Sequence, residues 1–344
     1  ATNIRTKLDG NWSNFAGTIN IGAHKTGSYT PSLTLNNGYG LKNATVRVGA
    51  DFNNNGNNCT IGNLTGSSTL SGSGTWIIGY LDQDVTYSGT INGGKITKVG
   101  EGTWTLSALQ TKLGGDVTVS GGVLKLNSPL KSSLFFGNRS VIVSGAGTLM
   151  GEAYLHNISV KSGGTLDPGK SVASIRSGSL KSDGSVSCEA GSTTKFNLRI
   201  NSGTASSTSI EAKSLALNGD LVVSMLSMYV NKAKAGDTFT LWTVNTFSGT
   251  PTSVTLPELP DGLEWNTDSL FLPTGVLKVQ AATGIRNLAA DATFTGDVYT
   301  VNGIKVGTVT TTKNGIAQAI KKLTSMPGIY VVRVNGDAMK VVVK

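Results

Sequence analysis

The chain has few of the residue types on which most catalytic and metal sites depend. Its 344 residues include only two cysteines and two histidines, and charged residues make up 14%. Cys59 and Cys188 form neither a C-x-x-C pair nor a zinc-type spacing. One disulfide or two separate thiols both fit the sequence, and the second is favoured. With only His24 and His156 present, a nucleophilic serine would have few partners.

Long apolar runs and dense positive charge are also missing. No apolar segment approaches the length that crosses a bilayer, so we expect no membrane insertion. The net charge of +9 is scattered and aromatic residues are 6%, whereas a nucleic-acid partner needs a basic face with interleaved aromatics, so none is expected. The chain starts at Ala1 almost within a repeat phrase and without a signal peptide. A cleaved signal peptide or excision from a longer protein would both explain this start. The second is favoured, so we expect upstream domains of the same polypeptide as partners.

Glycine is abundant instead, with 45 residues. A phrase of an aromatic residue, a small residue, Gly and Thr occurs at Phe15-Ala16-Gly17-Thr18 and Tyr87-Ser88-Gly89-Thr90, with a weaker copy at Phe247-Ser248-Gly249-Thr250. Between the copies, glycines precede short aliphatic pairs, as in Gly122-Val123-Leu124. Repetition of this kind predicts a fold of stacked repeats.

Short strands separated by glycine turns are predicted along this repeat region. Thr18–Ile21, Thr103–Leu106 and Val117–Val119 alternate apolar and polar residues, which is typical of half-buried strands. A coil of such short strands cannot bury its inner face alone, whereas coils stacked about 4.8 Å apart bury a continuous column. We therefore predict an all-β fold with a parallel β-helix over residues 1–280. The alternative, an antiparallel sandwich, usually has longer strands.

One segment resembles a known family. The run Ile96–Ser107, preceded by Tyr87–Ile91, resembles the autotransporter-associated β-strand repeat of secreted bacterial proteins, which implies a right-handed parallel β-helix. Residues 236–280 are similar to the segment that ends such helices. Because an open end invites pairing with other chains, we expect this segment to cap the stack. The large side chains expected to cover the end are Trp242, Leu263 and Trp265.

The pattern changes after about residue 283. Asn302-Gly303 predicts a hairpin, and Ile316–Leu323 is compatible with one or two helical turns or with an irregular strand. Met326–Val334 and the closing Lys-Val run are similar to C-terminal sorting domains of Bacteroidota, small β-sandwiches on proteins exported by type IX secretion. The resemblance implies a β-sandwich at 284–344, contact with secretion machinery through it, and a secreted or cell-surface location.

Candidate chemical groups are sparse. Asn266-Thr267-Asp268 spells a motif of β-helical pectin hydrolases, but neither histidine lies between glycines as that site requires, so we interpret the triplet as coincidence. Asp82 and Asp84 would share one face of a strand and could ligate calcium or form an acid/base pair, although an exposed turn is favoured. Three tryptophans could stack on sugar rings, although packing between coils is favoured: Trp12, Trp76 and Trp104.

Together these features favour a non-catalytic structural module. It would be the stalk of a larger exported protein and would present an adhesive or carbohydrate-active domain. Two alternatives stay open. One is a polysaccharide lyase or glycoside hydrolase acting in a groove of the β-helix, and the other is an adhesive surface that binds glycans. No catalytic residue is assigned, and calcium is the one cofactor considered.

Overall fold

The computed structural model describes residues 5–22, 32–36, 40–128, 132–169, 178–282, 292–334 and 337–343. Nearly all regular structure in these ranges is β-strand, so the all-β class is confirmed. No helix within them is long and apolar enough to cross a bilayer. His24 and residues 284–291 of the predicted tail lie outside the described residues.

The strands are short and follow the glycine turns. The first fifteen are β1 (Arg5–Leu8), β2 (Thr18–Ile21), β3 (Ser32–Leu35), β4 (Leu41–Val48), β5 (Asp51–Asn53), β6 (Cys59–Gly66), β7 (Leu70–Ser71), β8 (Thr75–Ile78), β9 (Val85–Tyr87), β10 (Ile91–Asn92), β11 (Lys95–Lys98), β12 (Thr103–Leu106), β13 (Val117–Val119), β14 (Val123–Asn127) and β15 (Val141–Val143). The predicted strands quoted above are confirmed as β2, β12 and β13.

Several of the later strands are longer than the first fifteen, and two helices lie between them in the sequence. They are β16 (Thr148–Leu155), β17 (Ile158–Val160), β18 (Thr165–Pro168), β19 (Gly178–Ser182), β20 (Ser185–Cys188), β21 (Thr193–Asn201), β22 (Thr204–Leu217), β23 (Asp220–Met225), β24 (Thr238–Ser248), β25 (Ser253–Thr255), β26 (Leu263–Asn266), β27 (Thr274–Ala281), β28 (Thr293–Thr300), β29 (Lys305–Thr312), β30 (Gly328–Val334) and β31 (Asp337–Val343). The helices are α1 (Ser227–Val230) and α2 (Ile316–Leu323).

The chain divides into two compact units. The first comprises residues 1–229, 238–257 and 267–277, and the second comprises residues 230–237, 258–266 and 278–344. Parallel pairing dominates the first unit, in which the hairpin between β21 and β22 is antiparallel. The sheet strands of the second unit pair antiparallel.

The first unit contains a five-stranded parallel sheet in the order β1-β3-β5-β7-β10, and from β8 to β25 its strands form three further parallel ladders. The first ladder runs through β8, β11, β13, β15, β17, β20 and the second half of β22. The second runs through β9, β12, β14, the first half of β16, β18, β21, β23 and β25. The third runs through the second half of β16, β19, the first half of β22 and β24. Each strand therefore pairs with the strand one repeat later.

In-register pairing stacks like residues on like and creates buried columns. In the first ladder Ile96 pairs with Trp76 on one side and with Val117 on the other, and all three are fully buried. The same column continues through Val141, Ile158, Val186 and Leu215. Burying one such aliphatic side chain contributes roughly 1.5–3 kcal/mol. The alternation seen in the sequence thus places one residue of every pair in the core.

The glycine of the aromatic phrase makes room for the ring. Tyr87 is fully buried, and its hydroxyl donates a hydrogen bond to the carbonyl oxygen of Ser68 at 2.6 Å. A Cβ added at Gly89 would collide with that carbonyl oxygen and lie 2.6 Å from the Tyr87 hydroxyl oxygen. At Gly17 an added Cβ would lie 2.8 Å from the ring tip of Phe15. The aromatic residue and the glycine therefore occur together because the ring packs over the glycine, where a side chain would collide with it.

The second unit contains a four-stranded antiparallel sheet in the order β29-β28-β30-β31. Its apolar face shares one core with α2, through Ile316 and Ile320 against Val298 and Val332. The helical alternative for Ile316–Leu323 is confirmed, because residues four apart lie on one face of a helix. The described structure differs from the predicted small β-sandwich, since the apolar face of this sheet packs on a helix rather than on a second sheet.

Candidate functional site

Two of the predicted sugar-stacking tryptophans are interior residues. The side chains of Trp76 and Trp104 are 0% and 1% exposed. Trp76 packs against Phe52 with ring centroids 5.3 Å apart, and Trp104 packs against Tyr87 at 6.3 Å. A ring enclosed in this way cannot stack on a surface ligand, so the sugar-binding alternative is wrong for both residues and the favoured interpretation, interior packing, holds.

Trp12 differs because its ring is half-buried. Its indole N–H donates to the carbonyl oxygen of Asp9 at 2.7 Å, and its ring meets Phe15 edge-on at 5.7 Å. These contacts fix the ring without enclosing it. A sugar contact at Trp12 stays a prediction.

Asp82 and Asp84 lie in an exposed turn and bind backbone. The Asp82 carboxylate accepts a hydrogen bond from the N–H of Glu101 at 2.6 Å, and the Asp84 carboxylate accepts one from the N–H of Thr103 at 2.7 Å. The bonds from Thr103 lower the pKa of Asp84. Each carboxylate thus holds the start of the next repeat. Over the described ranges, no three His, Cys, Asp or Glu side chains are grouped to hold a metal ion.

The turn of these two aspartates lies near a buried lysine. Lys98 is 1% exposed, and its ammonium donates to the carbonyl oxygens of Val99 at 2.6 Å and Gly121 at 3.3 Å. Burial lowers the pKa of Lys98 to about 8, and the charges of Asp82 and Asp84 oppose this shift. The amino group therefore satisfies backbone carbonyls that the strand ladders leave open.

The cysteines are free and buried. Burial raises the pKa of the Cys59 thiol to about 12 and that of Cys188 to about 11. Of the two alternatives left by the sequence, separate thiols are the one found. At neutral pH both are protonated, which makes them poor nucleophiles and poor metal ligands.

The first residue of the Asn266-Thr267-Asp268 triplet belongs to a row of side-chain hydrogen bonds across the hairpin of β26 and β27. The Asn266 amide donates to the side-chain oxygen of Gln280 at 2.9 Å, and the Gln280 amide donates to the Glu264 carboxylate at 2.8 Å. Asn266 is therefore engaged in cross-strand contacts. This use of its amide agrees with the interpretation of the motif as coincidence.

A set of polar residues that the sequence did not single out meets on the outer face of the third ladder. Tyr154 pairs with Lys181, Lys181 pairs with Glu211, and Glu211 pairs with Thr243. They belong to four successive strands, and with neighbouring side chains they line a groove of about 730 Å³. We call this the third-ladder groove and define it by Tyr154, Lys181, Glu211, Lys213, Thr243 and Asn245.

Most charges in and beside this groove are paired. Lys181 and Glu211 form an ion pair at 2.7 Å. Next to them, His156 Nδ1 and an oxygen of Asp183 lie 2.7 Å apart, and both side chains are about one-third exposed. Lys213 is exposed and forms no ion pair with any residue that the structure describes. The groove thus offers Lys213 beside hydroxyl, amide and phenol groups, and the formal charges of Lys181, Lys213, Glu211 and Asp183 balance.

Sequence reasoning missed this groove because its members are far apart along the chain. Tyr154 and its register partner Lys181, for example, are 27 residues apart along the chain, and only the strand register brings them together. The signal that could have indicated the groove is the set of polar residues at the outward-facing positions of the alternating strands. Comparison of the chain with protein-family models gives no match, and comparison with curated proteins gives none either.

Proposed function

We propose that the first unit is a right-handed parallel β-helix that serves as a non-catalytic structural module of an exported bacterial protein. The observation that carries the proposal is the order in which the chain visits the ladders. From β15 to β24 it passes repeatedly through the first, second and third ladders, in the same order each time. A chain that coils has this order, and parallel crossovers are right-handed in nearly all proteins.

The use of polar groups supports a structural role. Asp82 and Asp84 bind the backbone of the following repeat, and Lys98 binds interior carbonyls. The aromatic rings of Trp76 and Trp104 fill the interior. A stack that grows by about 4.8 Å with each coil is suited to holding another domain away from a surface. In this proposal that domain lies upstream and is adhesive or carbohydrate-active.

Export rests on the resemblance of the C-terminal region to sorting domains. Residues 284–344 would engage the secretion machinery and place the protein outside the cell or on its surface. Deleting residues 284–344 in the native host should leave the protein inside the cell. Export that is unchanged by the deletion would reject this part of the proposal.

Deleting one whole coil tests the architecture. Ile96 and Val117 are register partners, so removing residues 96–116 joins equivalent points of adjacent coils. In a β-helix the remaining coils restack, and the shortened chain should keep a cooperative unfolding transition and a strand-type circular dichroism spectrum. The control deletion, residues 96–106, removes only part of a coil and should abolish folding. Equal loss of structure in both would contradict a β-helix.

A polysaccharide panel tests the non-catalytic assignment. Neutral and acidic polysaccharides are incubated with the full chain, with and without calcium, and followed by reducing ends and by the absorbance of unsaturated uronates. We expect neither signal above that of buffer. Activity that disappears in Asp82→Ala or Asp84→Ala would replace the structural proposal with a lyase or hydrolase.

A further inference from the structure

Each of the three ladders lines its own column of inward-facing side chains, and the three columns end differently after β23. We infer that the column of the second ladder is open at this end and that a second copy of the chain covers it by pairing through β25. This inference goes beyond the structural role proposed above, because holding another domain away from a surface requires no self-association.

Two of the columns end beneath other residues of the first unit. The third-ladder column ends at Trp242, which is fully buried. The backbone of Gly275 lies against its ring, since an added Cβ would be 2.1 Å from it, and its indole N–H donates to the carbonyl oxygen of Leu272 at 2.9 Å. The first-ladder column extends to Phe247, which is half-buried and meets the ring of Phe271 at 6.1 Å. Both columns are therefore covered.

The second-ladder column ends without such a cover. Its last member is Val254, the register partner of Leu221. Register partners lie on the same face of a sheet, so Val254 points into the column, yet it is 42% exposed. The earlier members of the column are all buried: Trp104, Leu124, Leu149, Leu166, Thr194 and Leu221.

The strand that carries Val254 also has a free edge. β25 pairs with β23 through one edge, its three residues are exposed, and within the described ranges no strand is in register with its other edge. The N–H of Thr252 points to β23, because it donates to the carbonyl oxygen of Gly219 at 3.0 Å. Backbone groups alternate in direction along a strand, so those of Ser253 and Thr255 point to the free edge.

This edge is complementary to a second copy of itself. If two copies pair antiparallel about a two-fold axis at Val254, Ser253 lies opposite Thr255 of the partner subunit. Their backbone groups then exchange hydrogen bonds in both directions. Val254 lies opposite Val254 of the partner subunit at a position without backbone hydrogen bonds, where opposing side chains are closest. The two open columns therefore cover each other.

The composition of this end favours a like partner over a charged one. Residues 249–257 and 269–277 contain no charged side chain, so two identical ends can meet without opposing like charges. Natural proteins commonly protect a free strand edge with a charge or a proline within the strand, and β25 has neither. Its length is sufficient, because β13 and β15 are also three residues long and pair on both sides.

Sedimentation velocity of the full chain tests the inference. Because the contact is small, we expect a dimer with a dissociation constant on the order of 10–100 μM. A two-fold contact closes on itself, so the mass should stop at the dimer. Each copy carries a net charge of +9, and salt screens the repulsion between copies, so the dimer should tighten between about 0.05 M and about 0.5 M NaCl.

Three results would overturn the inference. A monomer at every concentration would reject self-association, and association that weakens with salt would indicate an ionic contact elsewhere. The third is a chain that stays monomeric but binds a synthetic peptide of residues 250–258, which would make the occupant a peptide strand.

A lysine at the end of the column tests the position of the contact. Val254→Lys places two ammonium groups opposite each other and should raise the dissociation constant about a hundredfold. The matched control is Val301→Lys, the same substitution at a 63% exposed valine of the second unit, which should leave the dimer unchanged. Equal weakening by both variants would reject the contact at β25.

A proline tests the backbone pairing. Thr255→Pro removes an N–H that points to the free edge, where proline is tolerated, and should weaken the dimer about tenfold through two lost hydrogen bonds. Thr255→Ala keeps the N–H and should dimerise like the wild type, with unchanged melting curves verifying folding in all variants. Equal dimerisation of the two Thr255 variants would reject strand pairing. The coil deletion of residues 96–116 leaves β25 intact, so a folded monomer would reject this inference alone.

Discussion

The two compact units bury their apolar residues in different ways. In the first unit each strand packs on the equivalent strand of the next repeat, so the interior is a set of columns, such as Trp76, Ile96 and Val117. In the second unit, residues from β28, β29, β30, β31 and α2 meet in one core. Stability in a column depends on nearest neighbours, whereas a single core links all its elements.

The interiors also differ in polarity. Buried polar side chains of the first unit include Asn54, Lys98 and Gln110, and Gln110 both donates to the carbonyl of Gly89 and accepts from the N–H of Ile91. The core of the second unit is made of aliphatic residues, Phe294 and Tyr330. Short strands joined by corners leave backbone groups that side chains must satisfy, whereas longer antiparallel strands satisfy more of their own.

The largest expected effect comes from breaking a column. Trp104→Ala should lower the free energy of unfolding by about 4 kcal/mol, because it empties the space of a buried ring. Hydrogen exchange should accelerate first in β9 and β14, the register neighbours of β12. The matched control, Trp12→Ala, removes a half-buried ring and should cost about 1 kcal/mol or less. Equal costs, or acceleration spread evenly over the unit, would contradict nearest-neighbour stability.

The single core should respond as a whole. Ile320→Ala should cost about 3 kcal/mol, as is typical for truncating a buried isoleucine. Because Ile320 contacts a core shared by four strands, hydrogen exchange should accelerate together in β28 to β31. Leu323→Ala is the control, since Leu323 is 38% exposed. Faster hydrogen exchange in α2 alone would contradict a shared core, because the second unit would then respond as locally as the first.

Strand positions in the first unit were predictable because alternation and glycine turns are local signals. Val117–Val119 and Thr103–Leu106 are found with the predicted bounds. The second unit was harder to predict, because its sequence indicates the hairpins but does not indicate that a helix covers the sheet. The helix Ile316–Leu323 is only two turns long, and eight residues contain too few periods to separate a helix from an irregular strand.

The candidate site was less predictable than the fold. Aromatic type left sugar stacking open for Trp76 and Trp104 beside the favoured interpretation of interior packing, and their place in the alternation is inward. Lys181 and Glu211 attract no notice as single residues, and they form a pair only through the register between β19 and β22. Register depends on how many residues each repeat contains, and this number varies along the chain.

A glycine substitution tests the close contact within the aromatic phrase. Gly89→Ala should cost about 2 kcal/mol, because its Cβ collides with a backbone carbonyl that cannot rotate away. Gly203→Ala is the matched control. It has a φ of 78° and no atom within 4 Å of an added Cβ, so it bears only backbone strain of about 1 kcal/mol. Urea denaturation of both variants measures the difference, and a larger cost at Gly203 would reject the steric explanation.

The smallest expected effect tests the polar interior through pH. Burial lowers the pKa of Lys98 to about 8 from the usual 10.5. Between these values the unfolded chain binds a proton that the folded chain has lost, so stability from this group rises with pH. Below about pH 8 both states are protonated and its contribution is constant. From pH 8 to pH 9 the expected gain is about 1 kcal/mol.

The comparison variant for this pH dependence is Lys98→Met, which keeps an unbranched side chain in the column and removes the titrating group. Other titrating residues contribute equally to both proteins, so the difference in free energy of unfolding between wild type and variant isolates Lys98. That difference, measured by urea denaturation, should shift in favour of the wild type as pH rises. A flat difference would mean that the ammonium stays charged in the folded interior, and the carbonyls of Val99 and Gly121 would then compensate its burial in full.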